Sequence, residues 1–272
     1  IVAEIKSRVE EGCNEVVLTG TRVGAYDCMS GLDGLIERIL DETTVARIRL
    51  SSLRPQELEP SLIRLWRSNE RVCRHLHMSL QSGSDATLRR MGRDYSTDEY
   101  ETALNMIREA MPDIAVTTDV IVGFPGETDD EFEQSYSFCQ RIGFADLHIF
   151  AYSIRPGTPS AQMTGKVPDK IKKDRSLAML NMAWHSARDY RRGFTGKTVP
   201  VLWEEQKGNN IWIGRTDNYI KIMTRSVVSL CNRLINARLG DECEDALWGE
   251  LEEDGHIPAQ NEERPTGQRS VS

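Results

Sequence analysis

The sequence lacks any close grouping of its six cysteines. Cys13, Cys28, Cys73, Cys139, Cys231 and Cys243 form no CxxC and no CxxxCxxC. No local zinc or iron–sulfur site can therefore be read from them, and the expected metal set is none. A secretory leader is missing too: the first residues, IVAEIKSRVEEG, have neither a basic start nor an apolar stretch. Free thiols and a cytoplasmic location are the expectation. No apolar run approaches the roughly 18 residues that span a bilayer, so no membrane partner is expected. Neither GxxxxGKS nor GxxxxGKT occurs, and no GxGxxG follows a strand. Those absences count against nucleotide-hydrolase and dinucleotide folds. The start carries no Met and reads as a helix entered midway, which predicts an N-terminally truncated chain.

The 39% apolar and 28% charged residues are in the range of a globular protein, and 272 residues allow one or two domains. A net charge of −8 argues against nucleic acid, but the charge is uneven. Residues 191–240 hold nine basic and three acidic side chains, whereas residues 241–272 hold two basic and ten acidic. A basic block inside an acidic chain says more than the total.

Hydrophobic periodicity predicts helices at 1–12, 31–42, 57–70, 84–91, 96–111, 128–142 and 168–192. Strands are predicted at 15–20, 46–53, 75–80, 115–124 and 144–153. Alternating strand and helix means parallel pairing with right-handed crossovers. A barrel, a partial barrel and an open doubly wound sheet all remain compatible. After residue 193 short alternating segments separated by Gly and Asn turns predict a small antiparallel β-barrel. From 252 the composition turns polar, and 252–272 reads as a disordered acidic tail.

Ligands of parallel α/β folds bind at the carboxyl ends of strands. Here those ends carry Thr19-Gly20, Ser51-Ser52, Gln81-Ser82-Gly83-Ser84, Gly123-Phe124-Pro125-Gly126-Glu127 and Tyr152-Ser153. Arg22, Arg54 and Arg155 follow such ends and suit phosphate or carboxylate, although a solvated surface is the default for each. Gly123 to Gly126 could equally be an ordinary strand-to-helix turn. His75 and His77 share a strand face, but no third metal ligand is evident, so structural or substrate-lining roles are favoured. Asp119 within an apolar strand needs a partner or a ligand.

Five segments then become specific: LTGTRVGAYD (18–27), RLSSLRPQEL (49–58), HLHMSLQSGSDATLRRMGRDYS (75–96), TTDVIVGFPGETDDEF (117–132) and LHIFAYSIRPGTPSAQM (147–163). In this order they resemble the radical S-adenosylmethionine (SAM) methylthiotransferases. RGFTGKTVPVLWEE (192–205) with GRTDNYIKI (214–222) resembles the TRAM domain attached to those enzymes. The resemblance implies a partial parallel (β/α) barrel at 1–192 with its first strand missing, a TRAM RNA-binding β-barrel at 193–251, and the tail beyond. SSLRPQEL resembles most the branch that acts on N6-threonylcarbamoyladenosine of tRNA. The N6-isopentenyladenosine branch is the alternative within the family, and a non-catalytic RNA-binding module is the alternative outside it.

The resemblance also assigns residues. Gln81 and Arg93 would meet the SAM ribose and carboxylate, and Asp119 would accept from the ribose hydroxyls. Thr19 and Gly20 stand where the family meets the methionine amino group, without its usual Gly-Gly-Glu. Ser51 belongs to the same set of strand ends. Gly123 and Phe124 would frame the adenine, and Tyr152 would line the substrate side. No catalytic residue is assigned. The full enzyme would use SAM and two 4Fe–4S clusters to insert a methylthio group at C2 of the modified adenosine. Its partners would be a tRNA anticodon stem-loop and a reductant protein. The cluster-binding CxxxCxxC would lie upstream of Ile1, so this chain is expected to keep the pocket and lose the reaction. In the basic block, Lys197, Lys207, Arg215, Lys221 and Arg225 are the expected phosphate contacts. Trp203 and Trp212 are expected to fill the small barrel, and Tyr219 is the candidate for stacking on a base.

Overall fold

The structure is a computed structural model that describes residues 1–20, 22–26 and 31–252. The expected tail thus lies outside the described residues from 253 onward, as does Cys28.

Five parallel strands follow one another in chain order: β1 (Glu15–Leu18), β2 (Arg47–Leu50), β3 (His75–His77), β4 (Ala115–Val122) and β5 (Asp146–Ala151). β1 pairs with β2, and β3, β4 and β5 form a second ladder. Parallel bridges Ile48–Val72 and Leu53–Met78 join the two ladders. A doubly wound sheet reverses its strand order midway. Sequential order 1-2-3-4-5 instead curves in one direction, which makes this a partial barrel. Helix α1 (Val2–Glu10) precedes β1, and the helices between strands are α2 (Gly31–Glu42), α3 (Pro60–Ser68), α4 (Asp85–Arg90), α5 (Thr97–Ala110) and α6 (Asp129–Ile142). Capping boxes start two of them. Ser96 accepts from the Glu99 N–H, and Thr128 from the Glu131 N–H, satisfying amides that a helix leaves free at its first turn.

Strand side chains alternate between two faces. Ile48, Leu50, Leu76, Val116, Val120 and Val122 are buried against the helices in the main core. The opposite set is polar: Glu15, Arg47, Arg49, His75, His77, Thr117, Asp119 and His148. That polar inner face positions the site.

The long helix α7 (Asp169–Arg192) ties the two halves together. Met179, Met182 and Ala183 belong to the main core, while Tyr190 packs against the core of the second unit. That unit is a closed five-stranded barrel of β6 (Thr198–Gln206), β7 (Ile211–Thr216), β8 (Lys221–Arg225), β9 (Arg233–Cys243) and β10 (Ala246–Leu251). Its neighbours are antiparallel except at the seam, where β8 and β10 run parallel. Trp203 and Trp212 fill its core, as their alternation implied. No helix among the described residues is long and apolar enough to cross a membrane.

Candidate functional site

The β4–α6 turn is built around a buried acid. Glu127 Oε2 accepts from the Gly123 N–H at 2.6 Å and from Arg175 Nη1 at 2.6 Å. Burial pushes the Glu127 carboxyl above its ordinary range, against the opposing pull of the Gly123 amide and Arg175. Gly123 has φ +72, and a Cβ there would come within 2.2 Å of Lys172 Cγ. Only glycine fits that left-handed, covered position. The Gly123 amide is thus engaged within the protein, and the ordinary-turn reading accounts for much of this motif.

Other strand ends are less committed. Gln81 adopts φ 68 and continues the β3–β4 pairing, its N–H donating to the Asp119 carbonyl at 2.8 Å. Its side-chain amide has no hydrogen bond among the described residues. Tyr152 packs edge-on against Phe124 with ring centroids 5.2 Å apart, and its hydroxyl is buried without a partner. A buried hydroxyl of this kind calls for a ligand or water. Thr19 and Gly20 line a cavity of about 620 Å³ along β1, together with Leu18 and Val23. Ser51 bonds through its N–H to the Leu18 carbonyl at 3.0 Å. Arg93 is exposed just beyond α4 and has no ion pair among the described residues. Arg54, by contrast, is held by Glu57 and Asp94.

Asp119 already has partners within the protein. Its carboxylate meets His77 Nε2 at 3.3 Å and His148 Nδ1 at 3.1 Å, one imidazole on each oxygen. Hydrogen bonding from His77 holds its carboxyl below the usual carboxylate range, and His148 adds to the effect. The half-buried carboxylate has therefore found partners inside the protein, and each oxygen keeps room for a further donor. The absence of a third ligand for the strand-face histidines is also corrected, because Asp119 and His148 come to His77. His75 is separate: its Nε2 contacts Thr117 Oγ1 at 3.0 Å, and its ring stacks on Tyr219.

The floor of the polar face is sealed by the small barrel. Arg47 donates to the carbonyls of Pro200 at 2.6 Å and Arg215 at 2.9 Å. Arg49 donates to the Asp217 carbonyl at 2.8 Å and to both Glu15 oxygens at 2.8 and 3.0 Å. Tyr219, at φ 68, lies 4.5 Å from the His75 ring and nearly parallel to it. The Arg215 and Arg49 guanidinium groups sit 4.4 and 4.9 Å from its centre. The ring proposed to stack on a base is thus already stacked on His75. A cavity of about 510 Å³ opens beside this junction, lined by His148, Trp184, Arg191, Arg215 and Lys221 among others.

The expected phosphate contacts divide into two groups. Lys221 is paired with Asp245 at 2.8 Å, Arg215 lies 3.7 Å from Glu204, and Lys197 lies 3.9 Å from Asp113. Lys207 and Arg225 have no acidic partner among the described residues, and Arg225 lies over the Trp248 ring. Sequence reasoning missed Glu15, Arg47, Arg49, His148 and the Glu127–Arg175 pair. The signal available was the two-residue alternation of polar side chains along β2 and β3.

The described residues do not fit an iron–sulfur cluster. Such clusters need grouped thiolates. The one cluster of three or more potential ligands among the described residues is His77, Asp119 and His148. Burial also pushes the Cys73 and Cys139 thiols up to about 12, which keeps them protonated. An adenosyl ligand is compatible with the open Gln81 amide and the orphaned Tyr152 hydroxyl.

Comparison with known proteins bears on these features. The family described as the Radical SAM superfamily matches residues 1–139. The threonylcarbamoyladenosine tRNA methylthiotransferase MtaB of Bacillus subtilis is 31% identical, over 88% of this chain and 55% of the relative. MtaB of Thermotoga maritima is 37% identical, over 80% of this chain and 51% of the relative. The tRNA-2-methylthio-N(6)-dimethylallyladenosine synthase of Acetivibrio thermocellus is 35% identical, over 88% and 51%. The chain thus spans about half the length of these curated relatives. Among solved structures, Escherichia coli coproporphyrinogen III oxidase (HemN), a radical SAM enzyme, aligns with a TM-score of 0.52 and 15% identity. That alignment covers 87% of this chain and 58% of the other, and it speaks for the fold alone. Sequential parallel strands and the family match agree: the chain belongs to the radical SAM superfamily.

Proposed function

We propose that this chain is the SAM-binding and RNA-contacting part of a tRNA methylthiotransferase. In this reading the methylthio group goes to C2 of N6-threonylcarbamoyladenosine beside the anticodon. The observation that carries it is the similarity to two MtaB proteins at 31 and 37% identity. The chemistry of the strand ends is consistent with it. Gln81 supplies an uncommitted amide for ribose hydroxyls, Arg93 a planar fork for a carboxylate, and Tyr152 an unpaired hydroxyl beside Phe124. Thr19, Gly20 and Ser51 complete the rim, and Gly123 shapes the turn under Phe124. Asp119, whose oxygens can each accept a further donor beside the two imidazoles, would take the ribose hydroxyls. Bound SAM would supply the methyl group and the radical chemistry. The small barrel, read as a TRAM-type unit, would hold the anticodon stem-loop. The complete protein would carry two 4Fe–4S clusters, draw electrons from a reductant protein and work in the cytoplasm.

A second reading has support of its own. The dimethylallyladenosine synthase of Acetivibrio thermocellus is 35% identical, so the N6-isopentenyladenosine branch competes. Equilibrium dialysis of the chain with labelled SAM tests the pocket, with Gln81→Ala expected to weaken binding about fivefold, the loss of a neutral hydrogen bond, and Arg93→Ala at least about tenfold, the loss of a charge-assisted one. Unchanged binding in both variants would remove the pocket assignment. Competition between anticodon stem-loops bearing the two N6 groups separates the branches, and preference for the isopentenyl form would favour the second.

A further inference from the structure

We propose that the cavity at the junction of the two halves is the subsite for the N6 substituent of the modified adenosine, and that Arg191 binds a carboxylate there. The inference deepens the methylthiotransferase reading and rests on it. Three parts of the chain wall this cavity of about 510 Å³. The parallel sheet contributes Thr117 and His148, α7 contributes Trp184 and Arg191, and the small barrel contributes Arg215 and Tyr219. His148 stands four residues before Tyr152 on the same face of β5, a separation of about 13 Å. In the proposed reaction adenine C2 faces the strand ends near Tyr152. The N6 arm leaves the ring at C6, two atoms from C2, and has the stretch of β5 towards His148 to lie along.

The charges around the cavity leave one cation without an acid. Lys221 is held by Asp245 at 2.8 Å, and Asp146 accepts from the Leu147 N–H at 2.8 Å. Arg215 lies 3.7 Å from Glu204 and over the Tyr219 ring. Arg191 has no ion pair among the described residues. Asp245 is held chiefly by Lys221 and feels Arg191 more weakly. The Arg191 Nε is buried without a hydrogen-bond partner. A guanidinium with a dry, unsatisfied N–H gains more from an incoming carboxylate than one already paired. Its planar fork also matches the two oxygens of that group.

The two candidate nucleosides differ in the property this cavity distinguishes. A threonylcarbamoyl arm ends in a carboxylate and a hydroxyl, whereas an isopentenyl arm is hydrocarbon. Packing hydrocarbon against Arg191 and Arg215 would dry their donors without pairing them. A site built to bond a polar group rejects the analogue that lacks it. The wall from α7 is apolar and shallow, with Ala183 and Ala187 one turn apart, which leaves room for an arm between Trp184 and Tyr219. An RNA phosphate is the other anion of the same chemistry, and the arms of the test separate the two.

The test measures binding of the whole chain to one anticodon stem-loop at fixed salt. The loop carries adenosine, N6-threonylcarbamoyladenosine, the methyl ester of that acid, or N6-isopentenyladenosine at the modified position. The parent should prefer the threonylcarbamoyl loop to both the unmodified loop and the ester at least about tenfold, as one charge-assisted contact gives. Arg191→Ala should abolish that preference. Arg191→Lys should keep part of it, since the charge remains and the fork is lost. Arg67→Ala, exposed on α3, should leave the ratios as in the parent. The ester probes the unaltered protein, so the test stands even if Arg191→Ala does not fold. An equal loss for every loop in Arg191→Ala would assign Arg191 to a phosphate. Equal binding of acid and ester, or an undiminished preference in Arg191→Ala, would take the carboxylate away from this residue. Each of these results overturns the proposal and leaves the methylthiotransferase reading standing. Preference for the isopentenyl loop would overturn it together with the threonylcarbamoyl assignment, and no binding of any loop would overturn the RNA reading itself.

Discussion

At the residue scale, His75 is a buried base held neutral. Burial lowers its pKa to about 3 from the ordinary 6.5, and Arg49 adds to the effect. As pH falls below the ordinary value, the unfolded chain takes up this proton and the folded chain does not. Stability is therefore complete above about pH 6.5 and declines towards the folded pKa, by at most about 1.4 kcal/mol per pH unit. Asp119 acts in the same direction but lower, since its depressed pKa matters only below the ordinary carboxylate value of 3.8. Glu127 has the opposite sign, because its raised pKa makes its contribution fall as pH rises through the folded value. Comparing parent with His75→Gln between about pH 6 and about pH 4.5 isolates the imidazole, since the acids are common to both proteins. Urea midpoints of the parent should fall faster over that range. Parallel profiles would mean that His75 takes its proton without unfolding the site.

At the element scale, the β4–α6 turn depends on a pair formed with a distant helix. The Arg175 and Glu127 side chains are 6% and 1% exposed, too dry for either charge to stand alone. Glu127→Ala should cost about 3–5 kcal/mol, because it leaves the guanidinium with an uncompensated buried environment and the Gly123 amide without an acceptor. Glu127→Gln keeps an oxygen for Gly123 and should cost less. Denaturant unfolding measures both, and an Ala loss below about 1 kcal/mol would show that Asp129 alone satisfies Arg175. A second element-scale device is the Arg49–Glu15 pair at the barrel junction. Arg49→Ala should lose a similar amount, and Glu15→Gln less, since Arg49 keeps its Asp217 carbonyl. These pairs also mark the limit of what the sequence made legible. Helices and strands were readable because their signals are local: Ser96 with Glu99, Thr128 with Glu131, and apolar residues every second or every third to fourth position. The α/β class followed from their alternation. Strand order did not, because bridges such as Leu53–Met78 depend on how the sheet curves. The strand-end residues of the candidate site were readable one by one. Their partners were not, since Glu127 meets Arg175 across 48 residues and Arg49 meets Asp217 across 168. His148 looked like an ordinary strand residue until register set it against Asp119.

At the scale of the whole molecule, an acidic chain that binds RNA needs a face where positive charge is left unspent. The basic block at 191–240 suggests such a face, but the structure neutralises part of it. Lys221 is held by Asp245, and Arg192 by Glu242, which also binds Arg188 from before the block. Arg215 is engaged with Glu204 and the Tyr219 ring. A lysine already paired with a carboxylate neutralises a phosphate less effectively and so releases fewer of the RNA's counterions, because the carboxylate must first be displaced. Lys207 and Arg225 are free of acidic partners among the described residues. We therefore expect the contributions to be unequal. Binding of an anticodon stem-loop to the whole chain, measured across a salt series, should give a log–log slope that drops by about 1 for Lys207→Ala and for Arg225→Ala, if each meets one phosphate. Lys221→Ala should change the slope less, and Asp245→Asn should tighten binding by releasing Lys221. Lys6→Ala, on α1 and paired with Glu42, serves as the remote control. A flat slope would mean that no cation of this face meets a phosphate; if instead Lys221→Ala weakens binding more than Lys207→Ala and Arg225→Ala do, the RNA does not meet the barrel on its unpaired cations. The paired set beside the cavity at the junction of the two halves would then be the surface that opens to receive it.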